Sequence, residues 1–100
     1  MSYNMEELVI SWARERGILE FGTVEGQMEK LREEFQELVD AIAADDQLEI
    51  ADAIGDMQVV LAILAELMDM SAYKCYVDAY GVIAKRTGKM VDGVFVKDVA

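Results

Sequence analysis

The chain contains no proline in its 100 residues and only seven glycines, so little in it interrupts a helix. Met, Leu, Ala, Glu and Gln are plentiful, and these residues are good helix formers. A chain of this length is typical of one domain. The sequence therefore predicts an all-α fold, a single domain over residues 1–100 of the four-helix bundle type with a short C-terminal tail.

The composition is both apolar and acidic. An apolar content of 54% is high for so short a chain, because a small domain leaves much of its surface in water. We therefore expect assembly through helices into a homodimer or homotetramer. The 9 basic and 20 acidic residues give a net charge of −11, which disfavours binding to nucleic acid and to anionic membranes. A phosphate-bearing substrate stays possible, because bound cations invert the local field.

Three features of the sequence predict a cytoplasmic protein. The single Cys75 allows no internal disulfide and suits a reducing compartment. Residues 1–7 lack the basic and apolar regions of a signal peptide. No run approaches the ~18 apolar residues of a membrane span, and the longest candidate is bounded by Asp56 and Glu66.

Start and stop signals divide the chain into four helices and a tail. The helices are expected over about residues 4–16, 24–44, 47–68 and 72–87, with a connector at 18–22. The expected N-caps are Asn4, Thr23, Asp46 and Ser71. Gly17 and Gly88 are expected to end the first and fourth helices. In the tail, Asp92-Gly93 favours the turn of a short hairpin.

The second predicted helix carries an apolar stripe at alternating spacings of three and four residues, formed by Met28, Leu31, Phe35, Leu38 and Ile42. At about 100° per residue, Glu34 lies roughly 70° from the centre of this stripe, and Glu37 lies further round. Glu34 is therefore expected at the boundary of the core, pointing into a cleft beside it.

The third predicted helix places carboxylates ahead of an apolar strip. Glu49, Asp52 and Asp56 fall within about 60° of one another on the helical wheel. The same strip continues one and two turns on with three aliphatic residues, Val59, Val60 and Ile63. A solvated acidic face would not normally run into aliphatic residues. The strip is therefore expected to enter the interior, with the acids at its mouth.

Acids that face each other from two antiparallel helices can build a metal site in a helical bundle. Mg²⁺ binds carboxylate oxygens together with substrate phosphates, and it relieves the repulsion between several acids in one cleft. One carboxylate can remain free as a general base. The candidate ligands for Mg²⁺, or for Mn²⁺ in its place, are Glu34, Glu37, Glu49, Asp52 and Asp56.

A purely structural interpretation of these acids stays open at this point. Acidic runs on helices are mostly solvated faces, and Glu34 can pair with Lys30 one turn earlier. Glu49 can serve only a capping box with Asp46. The absence of His excludes a Ser-His-Asp mechanism and disfavours zinc. The sequence also has no Gly-rich phosphate loop.

Two carboxylate motifs stand near the middle of the sequence, Glu34-Phe35-Gln36-Glu37 and Glu49-Ile50-Ala51-Asp52. In them the sequence resembles the MazG-like all-α nucleoside triphosphate pyrophosphohydrolases, especially short, phage-type members, whose signature is Glu-x-x-Glu, a spacer and Glu-x-x-Asp. The similarity covers nearly the whole chain. Its other parts are Lys30-Leu31, Asp52-Ala53-Ile54-Gly55-Asp56, Arg86-Thr87-Gly88-Lys89-Met90 and Asp92-Gly93-Val94-Phe95-Val96.

The resemblance implies Mg²⁺-dependent hydrolysis of an NTP or dNTP between the α and β phosphates, giving a monophosphate and pyrophosphate. It implies a helical dimer or tetramer, with Glu34 and Glu37 in catalysis. The spacer of 11 residues between Glu37 and Glu49 is short for the signature. Aligned backwards from the aliphatic run, Asp56 rather than Asp52 is the motif's Asp. Glu49 is therefore the weakest of the five candidate ligands.

The candidate substrate-binding residues are aromatic or basic: Trp12, Lys30, Lys85, Arg86 and Lys89. Trp12 either packs in the core or stacks on a nucleobase. The basic residues near the end of the fourth helix either contact phosphates or complement the helix dipole.

The last predicted helix departs from the family pattern. Relatives often carry an Asn and a Lys where this chain has Gly81 and Ala84. This departure supports the alternative to an enzyme, a catalytically silent helical protein that binds nucleotide or another protein.

Overall fold

The computed structural model describes residues 4–99. Five helices precede a two-stranded hairpin: α1 Met5–Glu15, α2 Ile18–Phe21, α3 Val24–Ala43, α4 Gln47–Leu67, α5 Ala72–Ile83, β1 Gly88–Val91 and β2 Val94–Lys97. The prediction of an all-α fold with a short tail is confirmed, since the strands within the described range lie in that tail. Among the helices of residues 4–99, none is both long and apolar enough to cross a membrane.

The four longer helices begin at the N-caps that the sequence predicts. The side chain of each cap accepts a hydrogen bond from a backbone N–H of the first turn at 2.8–3.2 Å: Asn4, Thr23, Asp46 and Ser71. After α1, Gly17 turns the chain with a φ of 76°. The predicted connector is corrected at residues 18–21, which form the single turn of α2. A bond of 2.7 Å from the Gly22 N–H to the Ile18 carbonyl closes it.

A three-residue turn joins α3 to α4. Asp45 adopts the left-handed conformation with a φ of 53°. The Asp46 N–H donates to the Ala41 carbonyl at 3.0 Å, and the Asp45 N–H donates to the Ile42 carbonyl at 3.1 Å. These two bonds form a Schellman motif that ends α3. Because the turn is so short, α4 runs back along α3, and these two helices make the most extensive contact in the described chain.

The apolar core is small and lies mainly on α4. Its buried side chains are Ile10, Ala13, Ala41, Ala53, Val60, Ala62 and Ile63. On α4, Val60 and Ile63 are buried while Glu49 and Asp52 are exposed. This confirms the prediction that the α4 strip enters the interior with its acids at the mouth.

The face of α3 that packs inward differs from the predicted one. Glu34 is only 4% exposed, whereas Phe35 and Ile42 of the apolar stripe are 49% and 60% exposed. The stripe spans about 80° of the helical wheel, and the inward side of α3 lies at the edge nearest Glu34. There the small side chain of Ala41 is buried and permits close approach. Glu34 is therefore buried and does not lie at the boundary of the core, but it does line a cleft beside the core as predicted.

The C-terminal part of the chain forms α5 and the hairpin. The structure ends α5 at Ile83, four residues before the predicted end at Thr87. β1 pairs antiparallel with β2, with Val91 opposite Val94. Between them, Asp92 and Gly93 have φ values of 49° and 83°, as a tight hairpin turn requires. The predicted hairpin is thus confirmed.

Candidate metal centre

An acidic cleft of about 550 Å³ lies between the C-terminal half of α3 and the N-terminal half of α4. Seven carboxylates and two alanines line it: Glu34, Glu37, Asp40, Ala41, Ala44, Asp46, Glu49, Asp52 and Asp56. All five predicted metal ligands are among them. The turn that folds α4 back along α3 therefore brings the two carboxylate motifs to opposite walls of one cleft.

Three of these acids form an inner cluster. One oxygen each from Glu34, Glu37 and Asp56 lies within 4.8 Å of the other two. Glu37 is exposed, Asp56 is half-buried and Glu34 is buried, so the cluster reaches from the interior to solvent. Glu49 and Asp52 line the cleft outside this cluster. Of the two candidate aspartates, the structure thus brings Asp56 against the first motif.

Glu34 is held asymmetrically at the bottom of the cluster. Its Oε1 lies 3.3 Å from the Lys30 Nζ. Its Oε2 is buried and has no hydrogen-bond partner among the described residues. A buried carboxylate oxygen without a partner costs free energy, because it has lost its water and gained nothing in exchange. A cation in the inner cluster would supply that partner.

Lys30 is the basic residue nearest this cluster. It bridges Glu34 at 3.3 Å and Glu33 at 3.8 Å, and its side chain is half exposed. The hydrogen bond to Glu34, and then the charge of Glu34, raise the pKa of Lys30 above its ordinary value. Lys30 therefore keeps its positive charge at neutral pH and offsets part of the negative charge of the cleft.

Crowding changes the titration of the other two members of the inner cluster. The hydrogen bond with Glu34, and then the negative charge of Glu34, raise the pKa of Glu37. Burial raises the pKa of Asp56, and the charges of Asp52 and Glu34 raise it further. Both carboxyl groups therefore stay protonated to a higher pH than ordinary carboxyl groups do. Either protons or a bound cation would relieve the repulsion.

Comparison with known proteins identifies the family. The family model of the MazG nucleotide pyrophosphohydrolase domain matches residues 22–92. The chain belongs to the MazG family. A curated relative from Haemophilus phage HP1, described as an uncharacterized 18.2 kDa protein in the rep-hol intergenic region, is 44% identical over 55 residues. The matched stretch is 55% of this chain and 34% of the relative. No solved structure gives a significant match.

The MazG match covers the acidic cleft and the first strand of the hairpin, but it excludes β2 and it excludes α1 with Trp12. Trp12 is 44% exposed, the Arg16 guanidinium lies 5.2 Å from the centroid of its ring, and it does not line the cleft. Lys85, Arg86 and Lys89 lie within the match: Lys85 and Arg86 follow the end of α5, and Lys89 lies in β1. They are exposed and do not line the cleft either. Substrate contact by these four residues stays a prediction.

Two carboxylates of the MazG cleft were missed by reasoning from the sequence, Asp40 and Asp46. Asp40 follows Glu37 by three residues, a spacing that places both on one side of α3. Asp46 was assigned only as the cap of α4. It does accept the Glu49 N–H at 3.2 Å, but its own N–H donates to the Ala41 carbonyl. Glu49 therefore does not return the second bond of a capping box, and its carboxylate faces the cleft.

Proposed function

We propose that this protein is a Mg²⁺-dependent pyrophosphohydrolase of nucleoside triphosphates, NTPs or dNTPs, with Mn²⁺ able to replace Mg²⁺. The bond between the α and β phosphates is cleaved, and the products are a nucleoside monophosphate and pyrophosphate. One observation carries this proposal. Three carboxylate oxygens converge within 4.8 Å, and the most deeply buried acid, Glu34, also holds an oxygen without a partner.

The donor set fits Mg²⁺, which takes hard oxygen ligands from one or two carboxylates and from substrate phosphates. Glu34, Glu37 and Asp56 would hold the ion, and Asp52 and Glu49 lie beside them along the same cleft. When bound, Mg²⁺ supplies positive charge that neutralises and orients the phosphate oxygens. The absence of His and the single Cys of the chain argue against zinc at this site.

Glu37 is the proposed general base. It is the exposed member of the inner cluster, so a water molecule can reach one of its oxygens. In the proposed reaction the oxygen of a water molecule bonds to phosphorus and Glu37 takes the proton. The bridging oxygen between the α and β phosphorus atoms then leaves with one of them. Glu34, fixed by its ion pair with Lys30, positions the cluster.

The substrate contacts are part of the same proposal. Lys30 is half exposed beside the cleft, so its ammonium group is available to a phosphate. Lys85, Arg86 and Lys89 are proposed as further phosphate contacts and Trp12 as a base contact.

A panel of the eight common NTPs and dNTPs, with and without Mg²⁺, tests the proposal by measuring pyrophosphate and monophosphate together. We expect both products in equal amounts and only with Mg²⁺. Release of orthophosphate, or equal rates with and without Mg²⁺, would contradict the proposed reaction. Thermal melting with Mg²⁺ and each nucleotide is the second readout, because a ligand that binds only the folded state raises the melting temperature. Mg²⁺-dependent melting shifts without turnover would instead favour the catalytically silent nucleotide-binding protein.

A further inference from the structure

A single carboxylate on α1 joins the first helix to the start of the fifth. The Ser71 hydroxyl donates to the two carboxylate oxygens of Glu6 at 2.9 and 3.1 Å, and the Tyr73 N–H donates to one of them at 3.2 Å. These partners lie 65 and 67 positions from Glu6. Every other side-chain hydrogen bond among the described residues joins positions at most 11 apart. Glu6 therefore makes the long-range side-chain hydrogen bonds of the described fold.

The carboxylate of Glu6 supplies what the sequence of α5 lacks. The helices α1, α3 and α4 each carry glutamate in their own first turn, where a negative charge complements the positive end of the helix dipole. The first turn of α5 has no acidic residue, and it contains Lys74, whose charge is unfavourable at that end. The Tyr73 N–H also has no acceptor within the helix, as is general for the first N–H groups. Glu6 provides both the charge and the acceptor from another helix.

Ser71 takes part in both the local and the long-range contact. Its Oγ accepts the Lys74 N–H at 3.1 Å as the N-cap of α5, while its hydroxyl proton is donated to Glu6. A cavity of about 230 Å³ lies beside this contact, and its walls include Glu6, Glu7 and Ser71. Of the two neighbouring glutamates, only Glu6 accepts a hydrogen bond from Ser71 or Tyr73 in the described chain. Glu7 is therefore a matched position without the contact.

Core packing does not determine the direction of α5. This helix contains no buried residue, and within residues 4–99 it makes extensive contact only with α4. Its 12 residues span about 18 Å, so a tilt of about 20° at its start displaces its far end by about 6 Å. Lys85 and Arg86 follow that end, and the hairpin comes next. Contacts at the first turn of α5 therefore have a large influence on where these residues lie.

We propose that the contact of Glu6 with Ser71 and Tyr73, which we call the α1–α5 clasp, fixes the direction of α5. The clasp thereby determines where the two basic residues after α5 and the hairpin lie. Glu6 lies outside the stretch that the MazG family model matches, whereas α5 lies inside it. The proposal is independent of the reaction and of any metal, because neither Glu6 nor Ser71 lines the acidic cleft.

Amide hydrogen exchange of the full chain tests the clasp by comparing Glu6→Ala with Glu7→Ala at one protein concentration. Both variants lose one glutamate from the first turn of α1, so the effect on the α1 dipole is matched. We expect Glu6→Ala to accelerate exchange along the whole of α5 at least about tenfold, because a hydrogen bond to a charged group is lost. Glu7→Ala should leave the exchange of α5 as in the wild type. Equal exchange of α5 in the two variants, or acceleration confined to its first turn, would overturn the proposal.

Ser71→Asp breaks the clasp without changing α1. Aspartate is as good an N-cap as serine, but its carboxylate cannot donate to Glu6 and repels it. We expect α5 to exchange at least about tenfold faster in this variant. Adding Glu6→Gln should restore most of the protection, because the new amide can donate to the new carboxylate. Unchanged exchange in Ser71→Asp, or no recovery in the double variant, would contradict the clasp.

The direction of α5 can be measured by energy transfer from Trp12, the single tryptophan of the chain, to a fluorescent thiol label at the end of α5. The label is attached to an Ala84→Cys, Cys75→Ala chain, in which both substituted positions are exposed. An excess of unlabelled chain of the same variant suppresses transfer between copies. We expect Glu6→Ala to change the transfer efficiency and Glu7→Ala to leave it unchanged. The same efficiency in both variants would show that other contacts fix the direction of α5.

Discussion

The α3–α4 pair and the C-terminal face, which is formed by α5 and the hairpin, divide this small protein into two regions of different character. The α3–α4 pair holds five of the seven buried apolar side chains of the described residues, together with the buried carboxylate of Glu34. On the C-terminal face, apolar side chains are exposed and the charges are mostly basic. The first region therefore contains the core and a buried carboxylate oxygen without a partner, whereas the second contains no buried side chain.

Because of this difference, the two regions would be stabilised by different kinds of contact. The acidic cleft requires positive charge, because its inner carboxylates resist ionisation and one buried oxygen has no partner in the described chain. The C-terminal face exposes large apolar side chains. A cation does not satisfy exposed apolar surface, and apolar contact does not satisfy the acidic cleft. Pairs of substitutions can distinguish the two regions. In one kind of pair each region carries one substitution, and in the other kind one substitution lies inside the cleft and one outside it.

The largest effect is expected from removing the charge of Glu37. We expect Glu37→Gln to lower turnover at least about 100-fold, because the variant cannot accept a proton from water. The measurement is pyrophosphate release under saturating nucleotide and Mg²⁺. The matched control is Glu33→Gln on the same helix, since Glu33 is exposed and does not line the cleft. Equal activity of the two variants would mean that the inner cluster is not the reacting site.

A second pair compares the same residue type in the two regions. Ile63 on α4 is 4% exposed, and Ile83 on α5 is 52% exposed. We expect Ile63→Ala to lower the free energy of unfolding by about 2–5 kcal/mol, because it leaves a cavity in the core. We expect Ile83→Ala to change it by less than about 0.5 kcal/mol when the chain is monomeric.

The measurement for this second pair is urea denaturation of each variant over a range of protein concentrations. Extrapolation to low concentration removes any contribution of association. A large loss from Ile83→Ala at low concentration would show that α5 packs on its own chain.

Local signals of the sequence predicted most of the fold. Each N-cap depends on residues within one turn, and the Asp92-Gly93 turn depends on two residues whose φ is positive. The face of α3 could not be predicted in the same way. The apolar stripe of α3 is wider than the surface that one neighbouring helix covers. The sequence therefore did not determine which edge of the stripe packs against α4. The structure turns Glu34 inward and leaves Phe35 outside.

The same limitation applies to the site. Spacing along each helix identified five of the seven carboxylates of the cleft, because stacking on one helix face is a local property. Asp46 was missed because its presence in the sequence was already accounted for by its role as the N-cap of α4. The separation of Lys85 and Arg86 from the cleft could not be foreseen either, since it depends on how far α5 diverges from α4, and that in turn depends on long-range packing.

The smallest effect is expected from pH, and it tests whether the inner cluster is strained without a cation. Folding raises the pKa of Glu37 and Asp56 above their ordinary values of 4.5 and 3.8. The folded state therefore takes up protons more readily than the unfolded state as the pH falls towards those values. The cost of ionising these two groups is present in full above their raised pKa values and disappears below the ordinary ones. The metal-free protein should thus gain stability on mild acidification.

We expect the melting temperature in EDTA to rise as the pH falls from about 7 towards the ordinary pKa values of Glu37 and Asp56, and to rise less with Mg²⁺ present. The overall charge of −11 contributes to any such rise, so the comparison needs variants of equal charge. Glu37→Gln should reduce the rise more than Glu33→Gln does, because Glu37 belongs to the inner cluster with Glu34 and Asp56, and Glu33 does not line the cleft. Equal slopes in these two variants would assign the pH dependence to the net charge of the chain and would leave the acidic cleft without a specific need for a cation.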